Sequence, residues 1–431
     1  MNKKASSISL NPDVSGLKES STLKINQTAL SKRAKGEKVF HFGFGQSPFP
    51  VLPQIVEELK QNAHRKEYLP TKGLLPLRQA ICDYYKSKFG YDFHEDLVIV
   101  GPGSKELLFQ ALFALEGPVI VPAPSWVSYG PQVNLRGKDI TPVITKETNN
   151  YKLTPEELKE VCVNLGPGQK VLILNTPNNP SGAVYAEKEI SELAKICKQN
   201  NIIVISDEIY AEVDFSLERK RGFFHFYPEG TIVTSGLSKA QSAGGYRLGF
   251  LATSPNLAEL VDALTSLISE TFSAVSAPVQ YSAIKAYNKN ADVDKYLDTC
   301  SKVHKTCGEY MAKRFNEMGV SCPIPEGAFY LMPSFQAFAQ KLKQNEGVES
   351  SQQLCDLFLN KLNVAMLPGS DFYMGDELLC VRVASVDYDG EQVYKEMLKA
   401  GDDFEPVEFV ERYCPNLKDG LDAIEGFLKS L

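Results

Sequence analysis

Between about residues 50 and 290 the chain repeats one pattern: a short unbroken apolar run, a turn-rich stretch, then a segment with helical spacing. The runs are LVIV (97 to 100), PVIVPAP (118 to 124), KVLILNTP (170 to 177), NIIVISDEIY (201 to 210), TIVTSG (231 to 236) and LGFLAT (248 to 253). Val and Ile that do not alternate with polar residues belong to strands covered on both faces. Amphipathic stretches such as KEISELAKICKQN lie between several of them, and VLPQIVEELKQNA and LLPLRQAICDYYKSKFG read as helices ahead of the first run. This alternation predicts an α/β architecture with a mostly parallel central sheet flanked by helices.

After about residue 290 the texture changes. A long helical stretch, VDKYLDTCSKVHKTCGEYMAKRFNEMG, leads into strand-like GAFYLMP and LLCVRVASV. The predicted division is an N-terminal arm with part of a small domain (1–48), a large α/β domain (49–290) and a small C-terminal α+β domain (291–431). With 431 residues the chain has room for two cores. Residues 1 to about 36 are polar and read either as a floppy terminus or as an arm docked on the rest.

Composition excludes several classes. A net charge of -7 and a pI near 5.5 argue against a broad electrostatic grip on nucleic acid, while leaving room for a local basic pocket for a small anion. The nine cysteines form no CxxC and the five histidines no HExxH. That disfavours a disulfide framework or a zinc site and suits a reducing cytosol. No stretch offers about 18 uninterrupted apolar residues, so no membrane span is expected. The first residues lack the apolar run of a secretory signal.

Ligands of an open parallel sheet gather at the carboxyl ends of its strands, and here those ends carry five polar clusters. GPGSKELLFQALF (101 to 113) puts Gly103, Ser104 and Lys105 at the start of a helix. Free N–H groups there bind anions and glycine admits a phosphate, although a plain turn with Ser104 as N-cap explains the same residues. PAPSWVSYG (122 to 130) sets Trp126, the only tryptophan, on a rigid loop edge. It can stack on a planar ligand or serve as core or interface. NTPNNPSG (175 to 182) is nearly all turn formers, with Asn179 held extended ahead of Pro180. SDEIYAEVDF (206 to 215) ends an apolar strand on Asp207, with Tyr210 three residues on. A carboxylate buried there needs a positive partner, unless it merely caps a helix. TSGLSKAQSAGGYRLGF (234 to 250) places Lys239 among small residues and Arg247 eight residues later. A desolvated lysine is a nucleophile toward carbonyls, whereas surface positions are the ordinary fate of both residues.

In order and spacing the five clusters resemble the fold-type-I pyridoxal 5′-phosphate (PLP) aminotransferases of class I/II. NNPSG, SDEIY and SGLSK…GYRLGF are the most specific pieces. GFGQSPFP resembles the family's GxGxPDFP stretch, EYLPTKGLLPLRQAI its Tyr-x-x-x-x-Gly element, and VRVASV supplies its C-terminal arginine. The resemblance runs from about residue 39 to the end. It implies that Lys239 holds PLP as a Schiff base and then shuttles a proton between Cα and C4′. Asp207 would pair with the pyridine nitrogen, keeping the ring an electron sink. Tyr210 and Asn179 would bond the ring's 3′ oxygen, and Trp126 would stack on the ring. Gly103, Ser104, Lys105, Ser238 and Arg247 would surround the phosphate, joined by Tyr68 from a second subunit of a homodimer. Arg382 would take the substrate α-carboxylate as a bidentate pair. Gly45, Trp126 and Asn179 would line the substrate side.

The chain departs from the family pattern at several places, NPSG for the family's NPTG among them. Gly236 stands where many members have a serine, so that Ser235 or Ser238 would substitute. AQSAGGYRLG replaces the commoner AxTGWRxG. Residues 401 to 416, GDDFEPVEFVERYCPN, look longer than the family's usual closing segment. Lys105 and PSWVSY resemble the aspartate/prephenate branch, which implies a dicarboxylic substrate, aspartate or glutamate, held at its distal carboxylate by Lys105. The alternative is that Lys105 serves the phosphate or points to solvent. The expected activity is ping-pong transfer of an amino group between an L-amino acid and a 2-oxo acid in the cytoplasm. A lyase or cyclising synthase on the same scaffold, an aminotransferase for aromatic or other neutral amino acids, and a non-catalytic PLP-binding regulator are the rival readings.

Overall fold

The computed structural model describes residues 8–17, 19–216, 221–288 and 290–431. Its central sheet has seven strands: β1 (Val98–Gly101), β2 (Val119–Ala123), β3 (Ile140–Ile144), β4 (Lys170–Asn175), β5 (Ile202–Asp207), β6 (Thr231–Gly236) and β7 (Gly249–Ala252). Their spatial order is β1-β7-β6-β5-β4-β2-β3. From β3 to β6 neighbours are parallel, and β7 runs antiparallel to both β1 and β6. All six predicted runs form strands. β3 is an addition: it lies at the sheet edge, pairs only with β2 and contains Pro142, so ITPVI lacks the unbroken apolar signature of a covered strand.

Side chains alternate across the sheet. Val98, Val100, Val233 and Phe250 face Ile81, Tyr85 and Tyr287 on one side. Ile99, Ile232 and Leu251 face Leu107, Leu108, Val261 and Leu264 on the other. Full burial of one such side chain is worth roughly 1.5 to 3 kcal/mol, so polar residues are confined to the strand ends. From β2 the chain moves outward to β3 and then returns as β4 on the other side of β2. That reversal opens a crevice beyond the carboxyl ends of β2 and β4, where an open α/β sheet takes its ligand.

The helix Ala291–Glu317 is capped by Asn290, whose side chain accepts from the Asp292 amide. It packs beside a small antiparallel sheet made of β8 (Tyr330–Leu331), β9 (Leu367–Pro368) and β10 (Val381–Ala384), in the order β9-β10-β8. Phe40–His41 pairs in parallel with Val364–Ala365, attaching the chain's early segment to this C-terminal region. Residues 401–416 include the helix Pro406–Tyr413, whose Phe409 and Val410 are buried in one cluster with Val303 and Cys307.

Of the two readings of the polar N-terminus, the docked arm holds from Ser21 onward. The helix Ser21–Ala34 buries Ala29 against Val39 and Ala365. Arg33 donates to both carboxylate oxygens of Asp387 at 2.8 and 2.9 Å and to the Val39 carbonyl at 2.7 Å. The arm's residues 1–7 and 18 lie outside the described residues. No helix among the described residues is long and apolar enough to cross a membrane, and all nine cysteines are buried free thiols.

Candidate active site

Asp207 ends β5 and is almost fully buried. Its Oδ2 accepts from the Tyr129 hydroxyl at 2.7 Å and its Oδ1 from the Ile209 amide at 3.3 Å. Burial pushes its carboxyl up to about 6, although those two donors and the nearby Lys239 pull the other way. Asn175 ends β4 beside it. Its amide donates to the Asp207 carbonyl at 2.8 Å and its Oδ1 accepts from the Asn179 amide at 2.7 Å. The turn NTPNNPSG is thus pinned to the strand that carries the acid.

Lys239 lies three residues beyond β6. Its Nζ donates to the Gly45 carbonyl at 2.8 Å and sits 5.5 Å from the ring centres of Tyr210 and Phe329. The Tyr210 hydroxyl meets that of Tyr330 at 2.9 Å, and burial holds the Tyr210 phenol well above its ordinary range. Gly236 admits no side chain in this chain, because a Cβ there would lie 2.6 Å from the Gly249 Cα. Ser235 turns away to the Glu208 carbonyl at 3.1 Å, so that of these two serines Ser238 lines the cleft.

The anion-binding end is built on glycine. Gly103 has φ +92° and precedes the helix Ser104–Ala114. A Cβ on Gly103 would meet the Arg247 Nη2 at 2.6 Å, and one on Gly249 would meet the Ser104 amide at 2.5 Å. Arg247, itself at φ +52°, is aimed by donation to the Gly244 and Pro102 carbonyls at 3.0 and 3.1 Å. The Lys105 ammonium lies 5.3 Å from the Trp126 ring centre, and burial, then the charge of Arg247, lowers its pKa. Among the described residues neither Lys105 nor Arg247 forms an ion pair. Two cations and a row of helix N–H groups thus converge where an anion can sit.

Arg382, on β10, is 1% exposed and lies 4.7 and 5.2 Å from the ring centres of Tyr330 and Phe372. Its Nη2 donates to the Gly43 carbonyl and its Nη1 reaches Asn179 Oδ1 at 3.4 Å. Its Nε is buried with no hydrogen-bond partner among the described residues. Burial lowers its pKa, partly offset by Tyr330, Tyr210 and Asp371. A guanidinium stays charged regardless, so a buried donor is left over for an anionic ligand.

One cleft of about 290 Å³ gathers Gly45, Ser104, Lys105, Trp126, Asn179, Asp207, Tyr210, Ser238, Lys239, Arg247 and Arg382. These come from segments spread over more than 300 residues of sequence. Gly103 stands behind Arg247 without lining the cleft, and Tyr68 is 98% exposed and away from it. Sequence reasoning missed Tyr129 and Asn175, which lie inside quoted segments but are identifiable only by whom they touch. It also missed Tyr330, read simply as part of a strand, and Ser20 and Thr22 of the arm, which line the cleft mouth.

The strand order, the reversal between β2 and β4 and the lysine after β6 define fold type I of the PLP-dependent transferases. The chain belongs to the aminotransferase class I and II family, whose model matches residues 37–390, and is a transaminase. It is 32% identical over 367 residues to an aspartate aminotransferase of Bacillus subtilis (strain 168), covering 83% of this chain and 90% of that one. It is 31% identical over 369 residues to a probable aspartate/prephenate aminotransferase of Aquifex aeolicus (strain VF5), again covering 83% and 90%. The crystal structure of an aspartate aminotransferase from Rhizobium meliloti superposes with a TM-score of 0.84 at 22% identity, covering 98% of this chain and 99% of that one.

Proposed function

We propose that this aminotransferase moves an amino group between a dicarboxylic L-amino acid, aspartate or glutamate, and a 2-oxo acid, by a ping-pong route with PLP held at Lys239. The observation that carries the reading is one cleft holding an amine, Lys239, a buried carboxylate, Asp207, and a buried guanidinium with a donor to spare, Arg382. The residues fit PLP. Asp207 suits a protonated ring nitrogen, Trp126 offers a flat face, and Gly103, Ser104, Ser238 and Arg247 suit a phosphate. When bound, PLP supplies the electron sink that lets an amino acid lose its Cα proton.

The chain's own groups do the rest. Asp207 gains a cationic partner that stabilises its ionised form. Tyr210 and Asn179 orient the cofactor's ring oxygen. Arg382 receives the α-carboxylate as a fork through Nε and one Nη. Lys239 accepts and returns the Cα proton. Lys105 faces the distal carboxylate as a point charge. Its lowered pKa supports a site that gains from a second anion.

Tyr68 completes the phosphate site of a second subunit in a homodimer, a role that its exposure supports. The parallel pairing of Phe40–His41 with Val364–Ala365 supports grouping the residues before 49 with those after 290. The buried free thiols support a reducing, cytoplasmic setting. The decisive experiment is a panel of amino donors scored by the visible spectrum of the purified protein. Aspartate and glutamate should convert the cofactor to its amine form faster than apolar donors. Release of pyruvate and ammonia from cysteine-type donors, without that conversion, would make the protein a lyase.

A further inference from the structure

Lys239 cannot hold the Gly45 carbonyl throughout a reaction in which its nitrogen is committed to the cofactor. The Tyr330 hydroxyl also reaches that carbonyl at 3.3 Å and Arg382 holds the Gly43 carbonyl, but both come from the C-terminal region and neither ties the loop 43–50 to the loop that carries the lysine. A second contact between the same two loops lies close by. The Ser47 and Ser242 hydroxyls meet at 2.6 Å, the Tyr296 hydroxyl reaches Ser242 Oγ at 2.8 Å, and Tyr296 also donates to the Pro50 carbonyl at 2.8 Å. Ser47 is 3% exposed and Tyr296 2% exposed, so these bonds are shielded from water. Ser242 closes a turn on Lys239, its amide donating to the Lys239 carbonyl at 3.2 Å. It does so at φ +57°, a conformation that L side chains disfavour. A serine kept where glycine is the easier choice calls for a use of its hydroxyl. Both serines also stand in stretches that depart from the family pattern: Ser47 at the proline of GxGxPDFP, Ser242 within AQSAGGYRLG.

We propose that Ser242 is a positioning residue: through Ser47, and braced by Tyr296 on the helix Ala291–Glu317, it keeps the Gly45 loop closed over the cleft while the Lys239 amine is committed elsewhere. The inference rests on the proposed role of Lys239. Lys239 and Ser242 lie on the same connection between β6 and β7, and Gly45 and Ser47 on the same early loop. The two loops are therefore joined by one bond that chemistry breaks and one that it leaves alone.

Ser242→Gly tests this, because glycine relieves the backbone conformation while deleting the hydroxyl. In the holoenzyme, hydrogen exchange of the amides of residues 43–50 should quicken by about tenfold with the rest of the chain unchanged. The thermal midpoint should hold or rise, and KM for L-aspartate should rise about threefold to tenfold with kcat little altered. Ser47→Ala should give the same exchange and KM changes, Ser47→Thr should restore the parent values, and the double variant should be no worse than either single one. Parent-like exchange and KM in both single variants would overturn the proposal. So would faster exchange throughout the chain with a lower midpoint, which would mark an ordinary structural contact. A parent protein with no visible cofactor band would instead remove the reading of Lys239, and the exchange comparison would still be readable.

Discussion

Asn175 and Asp207 face each other in the register of β4 and β5, and the Asn175 side chain bonds the Asp207 main chain on one side and the Asn179 main chain on the other. The acid and the amide that frame the cleft are therefore set by one buried side chain. Asn175→Ala leaves the Asp207 carbonyl and the Asn179 amide without this partner. Stability should fall by about 1 to 3 kcal/mol in denaturant titration, and cofactor affinity should fall with it. An unchanged unfolding midpoint would contradict the arrangement.

Lys239→Ala should abolish covalent attachment of the cofactor. Borohydride reduction followed by peptide mapping should label residue 239 in the parent and nothing in the variant. Turnover should fall by at least about a thousandfold. Labelling of another lysine would remove the basis of the site.

Asp207→Asn carries a pH signature in the cofactor-free protein. Burial raises the folded carboxyl from 3.8 to about 6. Between these values the unfolded chain releases its proton and the folded one keeps it, so stability declines as pH rises through that window and levels off above it. At pH 8 the variant should be more stable than the parent by about 2 to 3 kcal/mol, and near pH 3 the two should match. Glu208, raised by burial to about 7, adds a slope of the same sign to both proteins. In the holoenzyme a protonated ring nitrogen should shrink the gain, while turnover is lost.

Arg382→Leu removes the fork and leaves the substrate carboxylate facing Tyr330 and Phe372. KM should rise for every amino acid, with a loss of about 2 to 5 kcal/mol in kcat/KM. Lys105→Ala should cost dicarboxylic donors about tenfold more than apolar donors, since only the former lose a charge pair. Equal losses for both donor classes would assign Lys105 to the phosphate alone.

The α/β architecture was legible in the chain because strands covered on both faces leave unbroken Val/Ile runs, and six of the seven sheet strands carry that mark. The edge strand Ile140–Ile144 does not, because one side of it meets solvent. Lys239, Asp207 and Asn179 could be read because each closes or follows such a run and a parallel sheet brings strand ends to one rim, and Arg247 because it precedes β7, whose antiparallel course puts its start at that same rim. Burial, partners and protonation were decided by tertiary contacts among residues far apart in sequence. Tyr129 serves Asp207, Tyr330 serves Tyr210 and stacks beside Arg382, and the arm helix is tied down at its far end by the bond between Arg33 and Asp387 while Thr22 at its start lines the cleft. No local pattern encodes these contacts. Periodicity reports which way a side chain points from its own strand or helix, whereas the neighbour it meets depends on where the rest of the chain has been placed.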